Sequence, residues 1–234
     1  MISIIIPAYN EETLLAATVR AARDAADPLG APYEIIVVDD GSTDRTADIA
    51  REHGARVVGV NLRNIGAARN AGARAAVGEL LVFVDADTLV PPEVLFGAVA
   101  AARAGAVGGG AGARQDSNDP RWGPAVFAFA AWLMRTAGWA AGCFMFVRAD
   151  IFHLVGGFDE RYFASEEIHL SRTVKKHGRF VILRDKVITS GRKGRLFTAR
   201  QVFAQFAMAL WPGTLKRRDR LGIWYAGDRE KSKK

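Results

Sequence analysis

The chain has 234 residues, of which 50% are hydrophobic and 24% are charged, which suits one globular α/β domain and excludes large-scale disorder. A single cysteine excludes an intrachain disulfide, and no stretch supplies the roughly 20 clean apolar residues of a membrane span. The net charge of +7 is uneven, because residues 179–234 hold 15 Lys/Arg against 4 Asp/Glu. This asymmetry indicates that the C-terminal part faces something anionic or is a solvated tail.

Strand and helix signals alternate through the first half of the chain. Apolar runs predict four strands, at residues 2–6, 34–38, 56–60 and 80–84. We expect three helices between them: one capped by Asn10 and running to about Ala26, one from Ser42 or Asp44 to His53, and one from Asn64 to Val77. A fourth helix opens at Pro91. Strands this apolar, with helices between them, predict a parallel sheet covered on both faces.

The pattern is weaker after residue 105. We expect a glycine-rich strand at 106–113, a polar loop at 115–120, a helix near 125–136 and a strand at 143–147. A helix then opens at Glu166 and ends at His177, and a strand follows at 180–183. We place a domain boundary near Asp185, where the charge balance shifts. This gives a main domain at 1–185, divided into 1–105 and 106–185, and a basic C-terminal helix and tail at 186–234.

Two aspartates follow the fourth predicted strand. Side chains alternate along a strand, so Asp85 and Asp87 point the same way if the extended geometry persists. Two neighbouring carboxylates repel each other, and a divalent cation such as Mg²⁺ or Mn²⁺ relieves that repulsion while leaving positions for phosphate oxygens. The alternative is an ordinary turn at the end of a strand, where aspartate is common.

Polar segments also follow the first two strands: Pro7-Ala8-Tyr9-Asn10-Glu11 and Asp39-Asp40-Gly41-Ser42. Ligands of parallel α/β sheets bind beyond the carboxyl ends of the strands, so we expect these segments to meet Asp85 and Asp87 at one edge. An aromatic ring beside a proline offers a planar apolar wall, and a carboxylate can accept a hydrogen bond from a base N–H.

These segments resemble, in order, the family 2 inverting glycosyltransferases of the GT-A fold. The resemblance spans about residues 2–183 and includes Asn64-Ile65-Gly66-Ala67-Ala68-Arg69-Asn70, Gly156-Gly157-Phe158-Asp159 and Glu166-Glu167. It implies an α/β, Rossmann-like three-layer sandwich with a mostly parallel central sheet. It also implies a metal-assisted enzyme, of the hexosyltransferase class, that moves a sugar from a nucleotide-diphosphate donor to an acceptor hydroxyl with inversion.

The resemblance also implies roles for individual residues. The metal ligands are Asp87 and Asp85. The usual Glu-Asp pair reads Glu166-Glu167 here, so the base is Glu167 by alignment, with Glu166 as the alternative; two carboxylates that merely favour a helix N-terminus are the structural alternative. The remaining donor contacts are Pro7, Ala8, Tyr9, Glu11, Asp40, Arg69, Asp85 and Ala86.

The implied partners are a nucleotide-sugar donor and an acceptor that is a glycan, a lipid carrier or a small molecule. Residues 197–211 have apolar side chains at helical spacing between basic residues, typical either of a helix lying on an anionic membrane or of one packed on the domain. We expect no nucleic acid, because the basic residues lack interleaved aromatics, and a cytoplasmic location, with attachment to the inner face of the membrane as one option. The alternatives are a sugar-phosphate nucleotidyltransferase and a non-catalytic nucleotide-sugar binding module.

Overall fold

A computed structural model describes residues 1–115, 138–140, 142–162 and 166–191. Short helical turns lie at Asp27–Leu29 and Lys175–His177. The other elements in these ranges, in chain order, are β1 (Ile2–Ala8), α1 (Leu15–Ala26), β2 (Tyr33–Asp40), α2 (Thr46–Glu52), β3 (Arg56–Val60), α3 (Ile65–Ala75), β4 (Leu80–Val84), β5 (Thr88–Leu89), α4 (Pro92–Arg103), β6 (Gly108–Gln115), β7 (Phe144–Arg148), α5 (Ala149–Leu154), α6 (Glu166–Val174) and β8 (Phe180–Thr189).

The strands form one sheet in the order β3-β2-β1-β4-β7-β6-β8-β5. Strands β3, β2, β1 and β4 are mutually parallel, as the sequence pattern predicts. Strand β7 is antiparallel to both β4 and β6, β8 is parallel to β6, and β5 is antiparallel to β8. The α/β fold is therefore confirmed, with a parallel first half and a mixed second half.

Helices cover both faces of the sheet, which makes three layers. The alternation along β1 shows how this arises: Ile4 and Ile6 pack with α1 and α4 on one face, whereas Ile5 packs with α3 and α6 on the other. Helix α3 comes very close to the sheet, because a Cβ added at Gly72 would lie 2.4 Å from Ile5 Cγ2. Burial on both faces accounts for the continuous apolar runs in the sequence.

Several predicted boundaries differ from the structure. Asn10 does not cap α1, which begins at Leu15; Asn10 instead has a left-handed φ of 53°. Asn64 does cap α3, because its Oδ1 accepts a hydrogen bond from Ala67 N. Helix α5 was not predicted, and β8 continues through Asp185 to Thr189. The expected loop after Gln115 and the helices near 125–136 and 197–211 lie outside the described residues.

In the part of the chain that the structure describes, no helix has both the length and the apolar character needed to cross a bilayer.

Candidate active site

The register of the parallel strands brings three of the predicted segments to one edge. Ile5 pairs with Phe83, and Ala8 pairs with Asp39, so β1, β2 and β4 end at similar heights. The segments after these strands, which we call the rim, hold Tyr9, Asp40 and the Asp85–Asp87 turn. The expected meeting of these segments at one edge of the sheet is therefore present.

Hydrogen bonds fasten the segment after β1 to the segment after β2. Asn10 N donates to Ser42 Oγ at 3.0 Å, and Asn10 Oδ1 accepts from Thr43 N at 2.8 Å. Glu11 N donates to Thr46 Oγ1 at 2.9 Å. These bonds fix the backbone on both sides of Tyr9 and Glu11, and Pro7 and Ala8 are buried in β1.

Asp40 is almost fully buried at the end of β2 and holds the chain that follows β3. Its Oδ1 accepts from Leu62 N at 2.5 Å and from Arg63 N at 3.0 Å. This bend brings the Arg63 guanidinium to 4.0 Å from the centre of the Tyr9 ring, a cation–π contact. Arg63 is therefore part of the wall formed by Tyr9.

The extended geometry on which a common direction of Asp85 and Asp87 depended does not persist. Strand β4 ends at Val84, and Thr88 N donates to Asp85 O at 3.0 Å, which closes a turn. The carbonyl of Ala86 inside this turn accepts from Thr18 Oγ1 at 2.8 Å. The chain therefore forms a turn here, and metal binding by the two aspartates stays a prediction.

The charges of Asp85 and Asp87 still act on the same side chain, Cys143. Burial raises the pKa of the Cys143 thiol, and the charges of Asp85 and then Asp87 raise it further. Asp87 Oδ1 also lies 3.4 Å from Thr88 Oγ1 and 3.5 Å from Thr189 Oγ1, at the end of β8. Asp87 therefore lies where the rim meets the second half of the sheet.

Arg69 joins the Asp85 turn to the start of α6. Its side chain is buried, and its Nη2 donates to Asp85 Oδ1 at 2.7 Å while its Nη1 donates to Glu166 Oε1 at 2.6 Å. Nη2 also donates to the Gly142 carbonyl at 2.9 Å. Burial lowers the pKa of Arg69, but the neighbouring carboxylates outweigh it and raise that pKa. The charge of Arg69 is thus directed at protein carboxylates rather than exposed on the rim.

Glu167 lies beside this ion-pair cluster. A Cβ added at Gly142 would lie 3.4 Å from Glu167 Cδ, so the carboxyl group packs against that glycine. Burial and the charge of Glu166 raise the pKa of Glu167 to about 8, and Arg69 only partly offsets them. Of the two neighbouring carboxyl groups, Glu166 is thus ion-paired and Glu167 has a pKa near neutrality.

Two asparagines hold the loop that precedes α6, and we assigned them no role from the sequence. Asn64 Nδ2 donates to the carbonyls of Glu160 at 3.0 Å and Tyr162 at 3.3 Å. Asn70 pairs with the backbone of Phe158 in both directions, at 2.9 Å each. Their position in the segment around Arg69 was the available signal, because the N-cap and the buried part of α3 supply all three side chains.

The donor set at the rim fits a hard divalent cation that a ligand helps to hold. Within the described ranges, no group of three or more His, Cys, Asp or Glu side chains could hold a metal. Mg²⁺ is commonly bound by only one or two carboxylates together with substrate phosphates, and Asp87, with Asp85 near it, supplies that number.

Comparison with known proteins assigns the chain to a family. The family model described as glycosyl transferase family 2 matches residues 3–156. An undecaprenyl-phosphate 4-deoxy-4-formamido-L-arabinose transferase of Edwardsiella ictaluri is 43% identical over 111 residues, which cover 44% of this chain and 34% of that protein. The Pseudomonas aeruginosa protein of the same name is 41% identical over 131 residues, covering 52% and 39%. The matches thus span little more than a third of these relatives.

Solved structures show the same fold. A mannosyltransferase from Pyrobaculum calidifontis, in complex with GDP-Man and Mn²⁺, has a TM-score of 0.66 at 21% identity and covers 97% of this chain and 69% of that chain. Staphylococcus aureus TarS has a TM-score of 0.65 at 17% identity, covering 98% and 72%. Because the family model matches most of the length of the chain, the chain belongs to glycosyl transferase family 2.

Proposed function

We propose that the protein transfers a sugar, with inversion, from a nucleotide-diphosphate donor at the rim to an acceptor beside Glu167. The observation that carries this proposal is the buried Arg69, which ties the Asp85 turn to the helix that begins with Glu166 and Glu167. One side chain therefore keeps a phosphate-binding edge and a carboxyl group with a raised pKa at a fixed separation. An inverting displacement needs both on opposite sides of the sugar carbon.

The donor nucleoside would lie against Tyr9 and Arg63. The cation–π pair offers a flat face for a base, and Pro7, Ala8 and Glu11 form the adjoining backbone. Asp40 would accept a hydrogen bond from the edge of the base, or would act indirectly by holding the backbone of Leu62 and Arg63 in place. The relatives of known structure include complexes with UDP-GlcNAc and with GDP-Man, so both bases belong in a first screen.

Asp87 would be the main metal ligand, with Asp85 close behind it. Asp85 already accepts from Arg69 through Oδ1, whereas Asp87 lies nearer the end of β8, and Ala86 between them is held by Thr18. A bound Mg²⁺ or Mn²⁺ would neutralise negative charge on the departing nucleoside diphosphate. Arg69 holds the turn in place rather than contacting the phosphates.

Glu167 would be the base, and Glu166 would position it. Glu166 is 3% exposed and ion-paired with Arg69, so its carboxylate is committed. Glu167, with a pKa of about 8, is matched to take up a proton near neutral pH. The curated relatives are named for undecaprenyl phosphate, and we propose a lipid phosphate as the acceptor. The second pKa of a phosphate monoester is about 6, so an acceptor that still carries this proton can pass it to Glu167 when that carboxylate is ionised.

Nucleotide binding tests the donor half of this proposal. We expect UDP or GDP to raise the melting temperature of the full chain only when Mn²⁺ is present. Asp87→Asn should lose this shift, whereas Glu167→Gln and the exposed control Asp48→Asn should keep it. The donor assignment fails if neither nucleotide stabilises the wild-type chain, or if Asp87→Asn responds as the wild type does.

A transfer assay tests the catalytic half. Labelled UDP-sugars and GDP-sugars are incubated with polyprenyl phosphate, and the lipid product is extracted and counted. We expect Glu167→Gln to lose at least about a hundredfold in rate, the lower range for loss of a general base. Near-wild-type transfer by that variant would remove Glu167 from the mechanism without affecting the donor site.

A further inference from the structure

The exposed side of α6 and of the turn after it is basic. His169, Arg172 and Lys176 are all exposed and follow one another at spacings of three and four residues, which places them along one stripe. The opposite side of α6 is buried, through Leu170, Ser171 and Val174. We define the basic strip as His169, Arg172, Lys175, Lys176, His177 and Arg179.

No acidic residue interrupts the sequence of this strip, and Asp159, an acid near His169, is ion-paired with Arg161. Residues 168–184 contain five Lys/Arg and no Asp or Glu. Arg172, Lys176 and Arg179 form no ion pair with any residue in the described ranges. Some exposed arginines elsewhere on the domain do have acidic partners, such as Arg45 with Glu52. The strip is therefore a local source of positive potential rather than part of a balanced surface.

Aromatic rings lie next to the cations of the strip. The Arg172 guanidinium is 4.6 Å from the centre of the Trp139 ring, and Lys175 Nζ is 5.7 Å from that of Phe180. The His169 ring stacks on Tyr162 with centres 5.6 Å apart. Tryptophan and tyrosine favour the boundary between water and hydrocarbon, and basic residues favour anionic headgroups.

We propose that the basic strip binds the headgroups of an anionic phospholipid bilayer. This inference deepens the proposed function, since it identifies the surface that meets the membrane holding a lipid acceptor. The same helix begins with Glu166 and Glu167, so contact along its outer side brings the candidate base to the level of the headgroups. The partner is a lipid surface because the proposed acceptor is a lipid phosphate and the basic strip lies on the helix that begins with Glu166 and Glu167.

Vesicle sedimentation of the full chain tests the proposal without any donor or acceptor. We expect binding to vesicles that contain phosphatidylglycerol, little binding to pure phosphatidylcholine, and loss of binding at high salt. Arg172→Glu with Lys176→Glu should weaken binding at least about tenfold. The matched control is Arg74→Glu with Arg103→Glu, two exposed arginines in the last turns of α3 and α4, which should bind as the wild type does.

Three results would overturn the inference: no binding to anionic vesicles, undiminished binding by the strip variant, or an equal loss in both double variants. Undiminished binding by the strip variant would place the membrane contact elsewhere in the chain. An equal loss in both double variants would make the binding an effect of net charge. Circular dichroism checks that each variant is folded. The shift in melting temperature with Mn²⁺ and nucleotide should be the same in the strip variant as in the wild type, so failure of the donor site is recorded separately.

Discussion

Replacing Arg69 by glutamine removes the cation from a buried cluster of carboxylates. The Arg69 side chain is 2% exposed and contacts Asp85 and Glu166 at 2.7 and 2.6 Å, with Glu167 close by. Without it, the negative charges face one another with little water. Removing one partner of a buried ion pair costs about 3–5 kcal/mol. We expect a loss of that size in the free energy of unfolding, a large part of the roughly 5–15 kcal/mol of a whole domain.

Urea unfolding followed by circular dichroism measures this loss. The control is Arg56→Gln, because Arg56 is 48% exposed on the side chain and its pair with Glu34 should be worth under about 1 kcal/mol. We expect the loss in Arg69→Gln to shrink as the pH falls, because the remaining carboxyl groups then neutralise themselves by binding protons. Equal losses in the two variants, or a loss that does not depend on pH, would refute the idea that Arg69 compensates buried charge.

Three further predictions concern packing, protonation and the loop before α6. Gly109→Ala should lower the free energy of unfolding in urea by at least about 1–3 kcal/mol, because the added Cβ would lie 2.1 Å from Val181 O. The control Gly59→Ala should change it little, because a Cβ at Gly59 meets open space. The pKa of Glu167 is raised, so wild-type stability should fall as the pH rises from about 4.5 to about 8; Glu167→Gln should not show that fall. Asn70→Ala should cost about 1–3 kcal/mol, because it leaves the buried Phe158 backbone without partners.

The parallel half of the fold was predictable because its signals are local. Each strand from β1 to β4 is an apolar run, and each of the segments after β1, β2 and β4 contains polar residues that a buried strand would not tolerate. The carboxyl ends of parallel strands lie at the same edge of a sheet, so those segments come together there. The alignment of Ile5 with Phe83 and of Ala8 with Asp39 is the result.

The failure at Asn10 shows where local signals end. An asparagine before an apolar-periodic segment predicts a helix cap. Asparagine also tolerates a left-handed backbone, and here its Oδ1 accepts from Thr43, 33 positions later. Local sequence preference does not distinguish a helix cap from a left-handed loop residue at Asn10. The hydrogen-bond partner that decides between them lies in the segment after β2.

The role of Arg69 was hidden by sequence distance, since its partners Asp85 and Glu166 lie 16 and 97 positions away. One local signal was available. Every residue from Gly66 to Ala73 is buried, and Gly and Ala make up most of this run, so a helix with so little polar surface is enclosed on all sides. A buried arginine in such a helix needs carboxylates as ion-pair partners, and the sequence offers acids at the rim and at Glu166.

The position of Arg69 also connects the rim to the basic strip. Helix α6 extends nine residues from Glu166 to Val174, about 14 Å at 1.5 Å per residue; His169 and Arg172 lie on its exposed side, and the basic strip continues into the turn after it. A stripe that long can contact a flat surface only if the helix lies nearly parallel to it. The start of α6 is fixed to the Asp85 turn through Arg69, so the orientation of the helix sets the orientation of the rim. A lipid acceptor would then reach Glu167 along the membrane plane, without leaving the headgroup layer.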